Sequence, residues 1–569
     1  MKKCVAALVA CFTLLLAPNA AFSQEATTLI GNFSFSTITD SRGNSLIEIA
    51  EDDLFSLNED SSFTYQIAAK NNLKANGTWR LRGNFLVLHY LTPSDTTRFY
   101  ELQKLAGGRM IFQENGVTYT FTKNAAAVKS FQAFDKTGFS IAHFSRGLLG
   151  MLALLVIAFL FSANRRKINW WLVAKGIGLQ LILAIAILKV PFIEQGFDQV
   201  GKGFVALLGF TREGSLFLFG SLVENTESFG FIFAFQVLPT VVFFSALTSL
   251  LYYYNILQKV VFVFAWIMKR TLKLSGAESL AAAGNIFLGQ TESPLLIKPY
   301  IENMTKSELM CLMTGGMATI AGGVLAAYIG YLGGPDEAAQ LFFARHLLAA
   351  SVMSAPAAIV AAKMLFPETE KYNEDMTISS ESIGSNWLDA IATGTTDGLK
   401  LAINVGAMLL VFTAFIYMGN AILGDLIGDW TGLNGWVSSI SGGQYEKLSF
   451  QFILGYGLAP LTWLMGVNGA DITLVGQLLG EKTILNEFYA YVSMGELIKS
   501  GAFAEQRSII ISTYILCGFA NFASIGIQIG GISALAPGRR SDLSKLAVRA
   551  LIGGTIASLL TAVIVGMLI

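Results

Sequence analysis

The sequence predicts an α-helical multi-pass membrane protein, with about eight transmembrane helices, two re-entrant hairpins and interfacial helices, preceded by a small all-β domain. Three observations carry that prediction. Hydrophobic residues make up 53% of the chain and charged residues only 14%, with positive mean hydropathy, whereas a soluble globular chain is about 25% charged. Apolar segments long enough to cross about 30 Å of hydrocarbon recur from Ile141 onward. Finally, Glu292 lies inside one such apolar segment, from Ala281 to Lys298, and Pro294 two residues later denies that segment a continuous helix.

Residues 1–23 read as a secretory signal: Lys2-Lys3, an apolar run through Leu16, then Ala21-Phe22-Ser23 as a small-residue cleavage site. Cys11 closes a lipoprotein-like box, but the apolar run continues past it, which argues against lipidation. Residues 24–125 change character. Stretches rich in aromatic and β-branched residues, such as 62–67, 77–81, 84–90 and 117–121, are separated by Asn76-Gly77, Gly83-Asn84, Gly107-Gly108 and Asn115-Gly116, which is a hairpin meander. The pattern Gly77-Thr78-Trp79 followed by Gly83-Asn84 resembles small lipocalin-like domains. Such a barrel holds a small ligand, or serves as a packed spacer or partner-docking module. A linker over 126–140 leads to a membrane domain over 141–569.

Within that domain the spans fall near 143–163, 170–190, 228–254, 308–332, 338–365, 398–424, 508–532 and 544–568, and the hairpins near 275–301 and 450–490. Pieces near 193–211 and 257–273 are too charged to span and belong at the interface. With the β-domain outside, Arg165-Arg166-Lys167, Lys269-Arg270 with Lys273, and Arg539-Arg540 with Lys545 all fall inside, as positive clusters should. The acidic loop 367–396 dissents, but acidic residues weigh little in that rule. A leader ahead of these spans predicts an inner-membrane protein with its β-domain and C-terminus periplasmic.

A carboxylate inside the bilayer costs roughly 2.5–3.5 kcal/mol, so it persists only against a cavity, a partner or a ligand. Broken backbone at that depth is tolerated only where it is buried in protein or lines a cavity. The stretch Gly289-Gln290-Thr291-Glu292 therefore reads as a hairpin tip that holds a polar solute. The second half repeats the device at Asn486-Glu487-Phe488. Each glutamate is followed, roughly thirty residues on, by an apolar segment interrupted by small and polar residues, around Thr319 and around Asn521. Paired interrupted segments point to a transporter built from inverted repeats with its site at their interface.

Together, residues 289–300, Met353 to Ala357 with Phe366 to Glu370, Asn486-Glu487-Phe488 and Cys517 to Asn521 resemble the concentrative nucleoside transporters, in order across 141–569. The resemblance implies a homotrimer in the lipid bilayer that moves nucleosides inward, elevator-fashion, with a sodium ion. It implies that Gly289, Gln290, Thr291 and Glu292 contact the base beside Val324, that glycine at 289 tolerates purines, and that Glu487, Asn521 and Ser524 hold the ribose against Phe519. It also implies a Na+ site of Asn285 and Thr319 side chains with Leu288 and Ile320 carbonyls. Taken alone, Thr319 could equally bond back to its own helix. Gly466-Val467, read as opening the second hairpin's turn, is followed by Asn468-Gly469, where family members often carry Pro-Trp.

Other classes fit poorly. The 39 basic and 39 acidic residues balance, so nucleic acid is not an expected partner. Gly196 to Lys202 matches a phosphate-binding loop, but Gly203 stands where a magnesium-binding hydroxyl belongs. The three histidines, His89, His143 and His346, lie away from the hairpins, and no nucleophile and base pair points to an enzyme. Cys4 and Cys11 lie in the leader and Cys311 and Cys517 in apolar spans, so no disulfide framework is indicated. Proton-coupled nucleoside uptake through Glu292 or Glu487 is the alternative mechanism.

Overall fold

The computed structural model describes residues 31–39, the strands between 54 and 123 without the turns joining them, and 140–569 apart from 225–231, 335 and 377–383. The expected signal over 1–23, and all of the expected linker except Ser140, lie outside the described residues. The chain divides into two compact units.

The first unit is a closed barrel. Strands β1 (Gly31–Thr39), β2 (Leu54–Leu57), β3 (Ser62–Ile67), β4 (Leu73–Arg82), β5 (Phe85–Thr92), β6 (Thr96–Ala106), β7 (Arg109–Glu114) and β8 (Val117–Lys123) pair antiparallel in chain order, and β8 closes on β1. Closure leaves no free edge. Alternate residues such as Phe33, Phe55, Phe63, Leu88, Phe112 and Phe121 point inward and fill the interior, as eight strands allow. The Tyr90 and Tyr100 hydroxyls meet there at 2.8 Å, and burial pushes both phenols up. Asn76-Gly77 is not a turn: it sits within β4, where the register shifts at a bulge. A Cβ on Gly77 would lie 1.9 Å from the His89 carbonyl oxygen, so this position needs glycine for close approach.

The second unit opens with helices α1 (Ile141–Leu160), α2 (Trp170–Lys189) and α3 (Pro191–Phe219). The first repeat follows: α4 (Leu238–Tyr253), α5 (Ile256–Leu272), α6 (Gly276–Gly284), short turns α7 (Ser293–Leu296) and α8 (Lys298–Ile301), the broken pair α9 (Lys306–Ala318) and α10 (Gly322–Gly333), and α11 (Glu337–Leu365). The second repeats that order with α12 (Trp387–Asn420), α13 (Leu433–Ile440), α14 (Phe450–Leu464), α15 (Ile472–Ile484), α16 (Glu487–Lys499), the broken pair α17 (Gln506–Leu516) and α18 (Phe522–Leu535), and α19 (Arg540–Leu568). Among the described residues seven stretches are long and apolar enough to span a membrane. The eighth expected span, 508–532, is the pair α17 and α18. The charged helices α3 and α5 are not among the seven, in keeping with an interfacial place.

Polar caps fix where the helices start. Ser275, Asn486 and Asn521 each accept a backbone N–H of their helix's first turn, and Thr305 with Glu308 forms a capping box. The spans containing α9, α11 and α19 are 83–89% buried, whereas those of α1, α2, α4 and α12 are only 17–28% buried. The former are the core and the latter the apolar outside. Glycines at 394 and 398 let α12 lie against α4, since a Cβ at either would strike Ser249 or Ser245.

One expectation needs correction. The second hairpin is α15 and α16, spanning 472–499 rather than 450–490, and its turn is Leu485-Asn486. Residues 450–464 form α14, the counterpart of α5, and Gly466-Val467 belongs to the link after it, at Gly466 φ +94°.

Candidate functional site

The two helix breaks touch. Gly518 has φ +100°, and a Cβ on it would lie 2.6 Å from the Ala318 carbonyl. Only glycine serves here, both for conformation and for contact. Each hairpin tip then rests on the break of its own repeat. At the first, the Gly322 N–H donates to the Phe287 carbonyl at 3.1 Å; at the second, Asn521 Nδ2 donates to Glu487 Oε2 at 2.6 Å.

Cross-links complete a ring. Gln290 of the first tip donates through Nε2 to Ser524 Oγ at 3.1 Å, and the Tyr328 hydroxyl of α10 donates to Glu487 Oε1 at 3.3 Å. Glu487 is only 3% exposed, yet a carboxylate has about four acceptor positions. These two bonds leave room for further donors. Phe519 and Val324 are buried at the breaks beside this ring.

The first tip is less self-sufficient. Glu292 turns back on its own loop, Oε2 accepting from the Gly289 N–H at 3.1 Å, and keeps part of its surface exposed. Thr291 is exposed and packs toward Gly531 of α18. The Oε1 atom of Gln290 is buried without a partner.

Asn285, where α6 ends, has both side-chain polar atoms buried and unpaired. A buried amide so placed costs about 1–3 kcal/mol per unsatisfied group unless something binds it. Thr319 donates its hydroxyl proton to the Gly315 carbonyl at 2.9 Å. That is the local bond expected of a membrane threonine, and it leaves the oxygen's lone pairs free. Leu288 and Ile320 are buried in the tip and the break beside them. Neutral oxygens of this kind suit a hard monovalent cation, and among the described residues no cluster of His, Cys, Asp or Glu offers a different metal site.

Two residues of the site escaped the sequence reading. Tyr328 lies one helical turn beyond Val324 on the same face, and its ring packs tilted against that of Tyr491, with centroids 4.2 Å apart. Gln528 lies one turn beyond Ser524, fully buried, with Nε2 on the Met313 carbonyl at 3.0 Å and Oε1 unpaired. A Cβ on Gly316 would crowd both Gln528 and Gln290. Projecting each predicted residue four positions along its helix would have found both.

Sequence comparison matches residues 149–222 to the N-terminus of the Na+ dependent nucleoside transporter family, 234–335 to a nucleoside recognition family and 346–566 to the Na+ dependent nucleoside transporter C-terminus. An uncharacterized transporter of Haemophilus influenzae is 41% identical over 74% of this chain and 97% of its own length. Solute carrier family 28 member 3 of Mus musculus is 41% identical and the sodium/nucleoside cotransporter 1 of Rattus norvegicus 40%, each over 74% of this chain; the match spans 58% and 63% of those longer proteins. The structure of CNTnw in an inward-facing substrate-bound state shares 38% identity and a TM-score of 0.67 over 74% of this chain and 98% of that one. An outward-facing variant of the same protein gives a TM-score of 0.68 at 38% identity, over 75% of this chain and 98% of that one.

Proposed function

The chain belongs to the Na+ dependent nucleoside transporter family, a family of transporters and not of enzymes, and from that premise we propose that it carries nucleosides into the cytoplasm together with a sodium ion. The observation that carries this reading is Glu487, a buried carboxylate held by Tyr328 and Asn521 where the second tip meets both breaks. Glu487, Asn521 and Ser524 take the ribose hydroxyls, because an anionic acceptor makes hydrogen bonds about twice as strong as a neutral one. Phe519 packs on the nucleoside. Gln290, Thr291 and Glu292 meet the base, with Gly289 and Val324 shaping its space. A solute without the ribose hydroxyls leaves Glu487 under-used and is rejected.

Sodium takes Asn285 Oδ1, the Thr319 hydroxyl oxygen and the carbonyls of Leu288 and Ile320. The orphaned amide of Asn285 supports this. Because the tips and breaks are joined in one ring, they travel as a body against the outer helices α1, α2, α4 and α12, elevator-fashion, between inward- and outward-facing states such as those seen in CNTnw. The exposed apolar surface of those outer helices suits lipid and the neighbouring subunits of a homotrimer.

The basic residues Arg165 to Lys167, Lys269 and Arg539 put their loops on the cytoplasmic side of a bacterial inner membrane, with the barrel and the C-terminus periplasmic. Residues 1–23 are then a cleaved signal, and the barrel, within the lipocalin-like 24–125, is a spacer, docking module or solute binder on a 126–140 linker. Nucleoside uptake into proteoliposomes with and without an inward sodium gradient tests the proposal. Accumulation should require sodium. Accumulation driven equally well by a proton gradient without sodium would favour coupling through Glu292 or Glu487 instead.

A further inference from the structure

Among the buried carboxylates outside the ring, Glu481 stands apart from Glu278, Glu308 and Asp471. Glu481 lies in the last turns of α15, 1% exposed. Its Oε1 accepts from Gln477 Nε2 at 3.0 Å, Gln451 of α14 and Ser493 of α16 flank the carboxyl group, and Oε2 has no hydrogen-bond partner.

No cation pairs with it among the described residues. The adjacent Lys482 sends its amine to the carbonyls of Ile515 and Cys517 and to Ser558 Oγ, at 2.9–3.1 Å. Helix α14 carries no charged residue. On α16, Glu487 is held by Tyr328 and Asn521 while Glu496 pairs with Lys499 and Tyr331; on α17, Arg507 bonds the Gly566 carbonyl. The titratable groups that face Glu481 are the phenols of Tyr445 and Tyr489. A carboxylate this deep, with no cation and only neutral donors from Gln477, Ser493 and Gln451 around it, is expensive as an anion, and neutralisation is the usual remedy.

A route to it exists. A cleft of about 570 Å³ is lined by Tyr417, Asn420, Tyr445, Gln451 and Gln477, with Asp425, Glu446 and Lys447 along its edge. From this cleft the Tyr445 hydroxyl donates to Gln477 Oε1 at 3.2 Å, and Gln477 Nε2 reaches Glu481. The same bonds decide which cation fits. Gln477 and Gln451 have their oxygens occupied by Tyr445 and by Asn420 Nδ2, the latter at 2.8 Å, so what they can turn toward Glu481 is N–H. A metal ion needs several oxygens. A proton needs one, and Oε2 is free.

We propose that Glu481 is a proton-binding site of the second hairpin, loaded from this cleft, whose occupancy sets the pH dependence of uptake alongside the sodium site. The proton comes from a hydronium ion in the cleft: its O–H bond breaks as the Oε2–H bond forms, and a water molecule is left behind. The uptake arm of the test rests on the transport reading, and a labelling arm does not.

In proteoliposomes under a fixed sodium gradient, uptake by the unaltered protein should change by about threefold or more between mildly acidic and mildly basic buffer. Glu481→Gln, which keeps the shape but cannot titrate, should flatten that profile with the nucleoside KM unchanged. Independently, a hydrophobic carbodiimide, which attacks protonated carboxyls, should label Glu481 in the unaltered protein increasingly as pH falls, as mapped by mass spectrometry. Labelling also decides the matter if the variant does not accumulate. An unchanged pH profile in Glu481→Gln, a shifted sodium requirement instead of a flattened profile, or no labelling of Glu481 at any pH overturns the assignment. Absence of all uptake with pH-dependent labelling intact would count against the transport reading and not against the proton site.

Discussion

The two hairpin tips occupy equivalent places in the repeats and solve opposite problems. The second tip is preorganised: Asn486 caps a regular helix, α16, and its first residue, Glu487, is fixed by Tyr328 and Asn521. The first is left incomplete, with Glu292 bonded only to its own turn, Gln290 Oε1 unpaired and Asn285 wholly unpaired. Backbone topology was duplicated; side-chain satisfaction was not. A preorganised acceptor loses little on binding and so discriminates, whereas an unsatisfied tip gains most when an ion and a base arrive. That difference is what the proposed function uses in giving the ribose to the second tip and the ion to the first.

The comparison breaks most severely at Glu487. Glu487→Gln should lower nucleoside uptake by about 100-fold or more at unchanged membrane abundance, since two charge-assisted hydrogen bonds at about 1.5–3 kcal/mol each are weakened. Ribonucleosides should also compete for uptake better than free bases. Equal inhibition by uracil and uridine would remove the ribose from this tip.

At the first tip the expected change is in the ion. Asn285→Ala and Thr319→Ala should each raise the sodium concentration for half-maximal uptake by about tenfold, or about 1.4 kcal/mol, and leave saturated uptake much closer to normal. Sodium titrations that superimpose on the parent in both variants would take these residues out of the ion site.

A smaller effect sharpens the contrast between the carboxylates. Tyr328→Phe loosens Glu487 and should raise the nucleoside KM by about three- to tenfold, the worth of one long hydrogen bond to a charge. Glu292→Gln keeps an acceptor for the Gly289 N–H and should change KM by about twofold at most. Reversal of that order would mean that the first tip, not the second, is the anchor.

Least affected should be a chain begun at Phe139 behind a replacement signal peptide. Every residue of the ring lies in the membrane unit, so uptake should stay within about twofold of the full chain, as separable domains allow. Loss of uptake by a shortened protein that is inserted and abundant would give the barrel a part in gating or capture.

Much of this was legible in the sequence because a membrane makes polar interruptions conspicuous. Glu292 with Pro294, Asn486 with Glu487, and the broken stretches at Thr319 and Asn521 stand out against apolar flanks, and they proved to be the tips and breaks. The start of the second hairpin did not stand out, since α14 is as apolar as a hairpin arm and only the link at Gly466 separates them. Tyr328 and Gln528 were invisible for another reason: an aromatic or amide in a buried helix carries no local signal, and its role depends on what the fold brings opposite. In the barrel Asn76-Gly77 misled, because the pair that favours a tight turn also serves a bulge with close backbone approach.

The central claim, that Glu487 reads the ribose, is tested most directly by equilibrium binding of uridine and 2′,3′-dideoxyuridine to the purified protein and to Glu487→Gln in saturating sodium. The account predicts that the parent protein prefers uridine by about 100-fold, the worth of two hydroxyl bonds to a carboxylate, and that the preference collapses to a few-fold in the variant. A preference of the same size in both proteins would contradict it.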